Sequence, residues 1–204
     1  MPQTTVPHPT MPSVSRQSDF GIHELFLKRW SSRAMTGEPL PVGTLQQLFE
    51  AARWAPSSSN EQEWRFLYAE KGSDDWQGFF NLLMDGNKVW CERAAALVVV
   101  LSKKTLSRNG NPNLVHSLDT GMAVQNLLLQ AAHLPDLVAH PMGGFDRTRA
   151  KLLLQVPDDV NVECMIAVGV AGRVDLLSPE LQAREAFSTR KTVAEIAKPG
   201  KYSF

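Results

Sequence analysis

Cysteine is almost missing from this chain: Cys91 and Cys164 stand alone among 204 residues, far apart and without a nearby histidine. No CxxC pair or zinc spacing exists, so ligation of a metal through sulfur is excluded as an organising feature. Both residues read as reduced thiols of a cytosolic protein. An excess of one charge is missing too, because 21 Lys and Arg balance 21 Asp and Glu. Nucleic-acid binders normally carry a basic stripe, so this neutrality argues against that class and leaves room only for a local basic pocket. Long apolar runs are also lacking. The strongest, residues 94–101, is far too short to span a bilayer. Neither a Walker A motif nor GxGxxG occurs, which removes the usual phosphate loops.

What is present begins with a polar N-terminus. Residues 1–18 carry Pro2, Pro7, Pro9 and Pro12 among Thr, Ser and Gln and hold no apolar h-region, so they do not read as a signal peptide. They predict a disordered tail, followed by a single domain over residues 19–204 of a cytoplasmic protein. Within that domain, helical spacing predicts short helices over 22–29 and 147–155. It also predicts a well-defined amphipathic helix over 44–54, where Leu45, Leu48, Phe49 and Ala52 recur on one face. Asp74 and Asp75 open a further helix whose Trp76, Phe79, Phe80 and Leu83 share a face. Strands are expected over 65–70, 95–101, 137–140 and 164–170, and another short helix at Pro179. The helix expected over 117–133 is apolar on nearly every side, which requires burial in the core or at a subunit interface. Helices alternate with few strands and no regular βαβ repeat. That pattern indicates an α+β domain, a modest sheet wrapped by helices.

Three segments carry candidate chemistry. Arg29-Trp30-Ser31-Ser32-Arg33 offers two guanidiniums and two hydroxyls just after a helix, a set suited to phosphate oxygens and planar anionic groups. A solvated basic helix end explains the same residues. In Ala55-Pro56-Ser57-Ser58-Ser59-Asn60-Glu61-Gln62-Glu63-Trp64, the Asn60 amide can read a heteroaromatic edge, while local turn-building is the simpler account. His140-Pro141-Met142-Gly143-Gly144-Phe145-Asp146 precedes a helix. Its glycines permit close backbone approach to a ligand, or merely make a flexible turn. A lone His140, with no carboxylate fixed beside it by sequence, reads as structural. Phe80 and Trp90 suit either stacking on a planar molecule or, more readily, core packing.

In this order, the segments resemble the nitroreductase family. That family shows Arg-x-Ser-x-Arg after its first helix, a helix ending in Ala-Pro-Ser-Ser-x-Asn-x-Gln-Pro-Trp, a buried helix, a Pro-x-Gly-Gly-Phe-like turn, and a C-terminal Arg-Lys-Pro-like segment leading to Glu. Here the last two are Pro141–Phe145 and Arg190-Lys191-Thr192-Val193-Ala194-Glu195. The resemblance runs from about residue 22 to the end. It implies a central, mostly antiparallel sheet surrounded by helices in an intertwined homodimer, with FMN at the interface. By position, Arg29 and Ser31 would hold the phosphate and ribityl region, with Arg190 also on the phosphate. Arg33 would lie toward N1 and the C2 carbonyl. Pro56, Ser57, Ser58 and Asn60 would meet the flavin, several from the partner subunit. Met142, Gly143 and Gly144 would line its N5 edge, and Gln62 would brace its own turn.

The implied activity is hydride transfer from NADH or NADPH through FMN to a small nitro- or quinone-type acceptor by a ping-pong cycle, with no side chain assigned as acid or base. Alternatives are a relative that oxidises or reductively dehalogenates a specific substrate, a non-catalytic flavin-binding protein, and an interaction protein that has lost its cofactor. Three positions depart from the family pattern. Glu63 replaces a proline and is expected to loosen its turn. Pro135-Asp136 replaces a helix-ending glycine, and Thr192 replaces a proline.

Overall fold

A computed structural model describes residues 16–203. The expected tail therefore lies outside the described residues through position 15. Arg16 is already anchored, its Nη1 donating to the backbone carbonyls of Leu27 and Arg29 at 3.2 and 2.7 Å.

The chain opens with α1 (Glu24–Lys28), begun where the His23 imidazole accepts the Leu25 N–H, and continues into α2 (Thr44–Arg53). β1 (Trp64–Glu70), α3 (Trp76–Phe80) and α4 (Asp85–Cys91) follow. Next come β2 (Ala96–Lys103), the long α5 (His116–His133) and β3 (Leu137–Met142). α6 (Arg147–Leu153), β4 (Val160–Val170), α7 (Pro179–Gln182) and α8 (Val193–Ile196) complete the chain. The strands form one antiparallel sheet in the order β1-β2-β4-β3, which is the α+β architecture expected.

Both faces of the sheet are covered. Leu97, Val99, Leu101, Met165 and Ala167 pack with Phe79, Trp90, Cys91 and Ala150 on one side. Ala96, Val98, Val100, Ile166 and Val168 meet Leu45, Leu48, Ala123 and Leu127 on the other. β2 is thus buried on both faces, which is why it reads as an unbroken apolar run rather than an alternation. No helix among the described residues is long and apolar enough to cross a membrane.

Several elements differ from their sequence expectation for identifiable reasons. The helix expected through Leu83 stops at Phe80. Leu83 instead bridges to Phe145, and the Met84 N–H donates to Gly144 O at 3.1 Å. α4 was not expected, because Gly86 and Asn87 are poor helix formers. Burial of Trp90 and Cys91 holds it in place. β3 runs on through Pro141 and Met142, and it can accommodate proline because it is an edge strand. β4 starts four residues early. A register shift opposite Val100 and Leu101 leaves Glu163 as an extra, unpaired residue, which breaks the alternation in the sequence.

The all-round apolar helix is buried on one side only within the chain. Ala123, Leu127, Leu128 and Ala131 face the core, whereas Leu118 is 65 % exposed. Asp136 does the work of the missing glycine. It adopts φ +54°, and its carbonyl accepts the Ala171 N–H at 2.7 Å.

Candidate functional site

Residues 29–35 run extended along the end of the sheet. Met35 bridges Ala171, the Gly172 N–H donates to Ala34 O at 2.9 Å, and the Thr36 N–H donates to Val170 O at 3.0 Å. This seam needs glycine at 172, where a Cβ would lie 2.7 Å from the Met35 backbone carbon. His140 Nδ1 sits 2.9 Å from Ser32 O, so that nitrogen carries the proton. Burial, ahead of every other influence, lowers the His140 pKa. Its ring lies 4.6 Å from that of Trp90. Both residues are core-packed, consistent with the structural reading of His140.

The segment is locked by Glu185, which sequence reasoning missed. Its buried Oε1 accepts the Ser32 hydroxyl at 2.5 Å and the Arg33 and Ala34 N–H groups at 2.7 and 3.1 Å. Its Oε2 lies 3.5 Å from Arg33 Nη1. A single acid in a polar C-terminal stretch gives no signal in the sequence.

Around this scaffold the cations behave unlike ordinary surface charges. The Arg29 guanidinium is half-buried and makes no hydrogen bond or ion pair among the described residues. Burial first, then the neighbouring Arg190 guanidinium, depresses its pKa. Among the described residues Arg190 itself donates only to Ser188 Oγ (2.6 Å) and to the backbone carbonyls of residues 188 and 189. The Ser31 hydroxyl likewise has no protein partner among the described residues. Two guanidiniums close together with no carboxylate partner among the described residues are suited to receive an anion. Thr192, which replaces the expected proline, caps α8. Its N–H and hydroxyl both donate to Glu195, at 2.7 and 2.8 Å.

At the end of β3 the chain turns through Gly143 and Gly144. The Met142 side chain points into the core, so this residue offers the site only its backbone. Neither the Gly143 nor the Gly144 N–H meets an acceptor among the described residues. Their carbonyls are engaged, Gly143 O by the Phe145 N–H and Gly144 O by the Asn87 amide at 2.9 Å. Glycine at 144 also has a packing cause, since a Cβ there would come within 2.7 Å of Asn87 Nδ2.

The third segment stands apart. Ser59, Asn60 and Gln62 adopt φ of 55°, 54° and 53°. The Ser58 N–H donates to Asp119 Oδ2 at 2.8 Å, and the Gln62 N–H donates to Ser57 Oγ. The Gln62 side chain donates to Asn60 O, bracing its turn as expected. Glu63 does not loosen this turn. It is buried, accepts from Asn113 Nδ2 at 2.7 Å, and its carbonyl accepts the Lys103 N–H. Pro56, Ser58 and Asn60 are exposed and Ser57 half-buried. No hydrogen bond or ion pair among the described residues joins these four to Arg29, Arg33, Gly143, Gly144 or Arg190.

The sequence profile of the nitroreductase family matches residues 27–89 and 69–170. A crystal structure of an FMN-containing oxidoreductase is 42% identical, with 92% of this chain and 96% of that one aligned and a TM-score of 0.88. A protein from Desulfovibrio desulfuricans in complex with FMN, assigned as a nitroreductase, is 25% identical over 88% of this chain and 96% of its own (TM-score 0.68). A nitroreductase family protein from Clostridium difficile 630, 20% identical over 90% of this chain and all of its own length, shares the fold (TM-score 0.68). The fold, the family match and the 42% identical relative make this an α+β protein of the oxidoreductase class. The chain belongs to the nitroreductase family.

Proposed function

We propose that this chain is an FMN-dependent oxidoreductase that accepts hydride from NADH or NADPH and delivers it to a small nitro- or quinone-type acceptor. Two observations carry this reading: Arg29 beside Arg190 with no ion-pair partner among the described residues, and two glycine amides, past the far end of β3 from the seam, that meet no acceptor among those residues. Those residues fit FMN: an anion receptor for its phosphate, and backbone donors for a ring nitrogen. The 42% identical FMN-containing oxidoreductase supports the choice of cofactor.

When bound, FMN supplies the two-electron chemistry, and the protein supplies orientation, electrostatics and access. Arg29, Ser31 and Arg190 hold the phosphate and ribityl end. Arg33, paired with Glu185, would supply a cation for the N1 and C2-carbonyl end of the ring, favouring the negative charge of the reduced flavin. The amides of Gly143 and Gly144, with the Met142 backbone, line the N5 edge. Pro56, Ser57, Ser58 and Asn60 share no hydrogen bond or ion pair with these groups among the described residues, and they would complete the site from the partner of a homodimer. Leu118 at 65 %, Leu114 at 91 % and Trp54 at 73 % exposure supply apolar surface for that contact.

Reductant and acceptor use one pocket in turn, so initial-rate plots at varied NADH or NADPH and a model quinone should give parallel lines. Intersecting lines would contradict the alternating cycle.

A further inference from the structure

A third guanidinium adjoins the Arg29–Arg190 pair, contributed by the segment ahead of α1. Arg16 donates through Nη1 to Leu27 O and Arg29 O, at 3.2 and 2.7 Å. Its guanidinium carbon stands 4.6 Å above the Phe187 ring centre, and Phe187 meets Trp30 edge-on at 5.1 Å. Arg16 therefore stitches the N-terminal segment, residues 27–30 and the C-terminal arm together.

Those contacts fix the side chain without compensating its charge. Carbonyl oxygens are neutral acceptors, and the buried Nε has no partner among the described residues. Burial, then Arg190 and Arg29, lowers the Arg16 pKa. Arg16, Arg190 and Lys191 line a cavity of about 590 Å³. Asp19 lies on that cavity but forms no ion pair with them among the described residues. The guanidiniums of Arg16, Arg29 and Arg190 repel one another, and a phosphate dianion would relieve that repulsion.

We propose that Arg16 is a cation of the flavin-phosphate site and the residue that sharpens this chain's preference for FMN over unphosphorylated riboflavin. This rests on the FMN reading above. With Nη1 on the two carbonyls and Nε buried, Nη2 is the donor left for a phosphate oxygen. Arg29 and Arg190 supply the rest of the grip.

The test is titration of flavin-stripped full-length protein with FMN and with riboflavin, for the unmodified chain, Arg16→Met and Arg16→Lys. Circular dichroism and thermal unfolding check that each variant is folded. Arg16→Met is expected to weaken FMN binding about tenfold, equivalent to about 1.4 kcal/mol. Riboflavin binding should stay within about twofold, and Arg16→Lys should recover part of the loss, because it restores charge without the planar fork. Inorganic phosphate should raise the melting temperature of the unmodified apoprotein more than that of Arg16→Met. Equal loss of both flavins would make Arg16 a packing residue and overturn the proposal, as would unchanged FMN affinity. An unmodified chain that binds neither flavin would overturn the FMN reading and this proposal together.

Discussion

Two loops of the site are each tied down by a buried carboxylate, and the difference between the ties is instructive. In the 29–35 segment, Glu185 accepts three hydrogen bonds through one oxygen and faces the Arg33 guanidinium with the other. In the 56–63 loop, Asp119 holds the Ser58 N–H, and the acid it lies beside is Glu63, whose carboxyl draws on neutral donors, the Asn113 amide and its own N–H, and on no cation among the described residues. The first tie is compensated and runs through the seam of the sheet. The second brings two acids together at the N-terminal end of α5, next to the loop proposed to serve the partner subunit's flavin. The 29–35 segment is thus the more firmly tied of the two, and the 56–63 loop the more adjustable.

Removing Glu185 should break the first tie most severely. Glu185→Ala leaves a buried hydroxyl and two backbone N–H groups without their acceptor, a loss of about 3 kcal/mol or more. Urea unfolding would register it, and FMN should leak from the purified variant. A near-normal unfolding midpoint would mean that the seam holds without its anchor. Asp119→Ala should have a smaller effect, about 1–2 kcal/mol, because one backbone donor is orphaned. Hydrogen exchange at the Ser58 amide should accelerate while exchange at Arg33 stays slow. Equal acceleration at both would erase the contrast between the loops.

The pH dependence sharpens the comparison further. Burial first, and then the Asp119 carboxylate, raise the Glu63 pKa above its ordinary value, against the opposing pull of its own N–H and of Asn113. A carboxyl with a raised folded-state pKa contributes stability that is complete below its unfolded value. That stability is lost as pH climbs through the folded value. The unmodified protein should therefore lose stability across that window at up to about 1.4 kcal/mol per pH unit. Glu63→Gln, which keeps the shape and neutral charge of the protonated acid, should flatten the curve. Identical pH profiles for the two proteins would show that Glu63 does not titrate against Asp119. The smallest effect belongs to Gly144→Ala, about 1 kcal/mol, because its new methyl group displaces Asn87. Pairing it with Asn87→Ala should recover most of that cost in a double-mutant cycle.

Much of this architecture is legible in the residues themselves. α2 and β1 announce themselves by apolar period, β2 and α5 by their unbroken apolar character, and the Pro141–Phe145 turn by its glycines. The two ties are far less visible. Glu185 and Asp119 reach partners 152 and 61 positions away, and such pairing leaves no local pattern. α4 was hidden because its helix is held by burial of Trp90 and Cys91 against weak local propensity. β4 was shortened because a bulge at Glu163 interrupts its alternation. Asp136 shows the converse: the departure from glycine was visible, but only the backbone shows that aspartate takes up the same left-handed turn. Burial also governs the cysteines, pushing Cys164 up to about 11 and raising Cys91 as well. Neither is set up as a reactive thiolate.

The central claim is tested most directly by the visible spectrum of the purified chain, followed through anaerobic addition of NADH or NADPH. The account predicts a yellow protein with about one releasable FMN per chain, whose flavin bands bleach promptly. A protein that stays colourless after incubation with FMN would contradict it, because the cations at Arg29 and Arg190 and the open amides at Gly143 and Gly144 would then serve some other ligand.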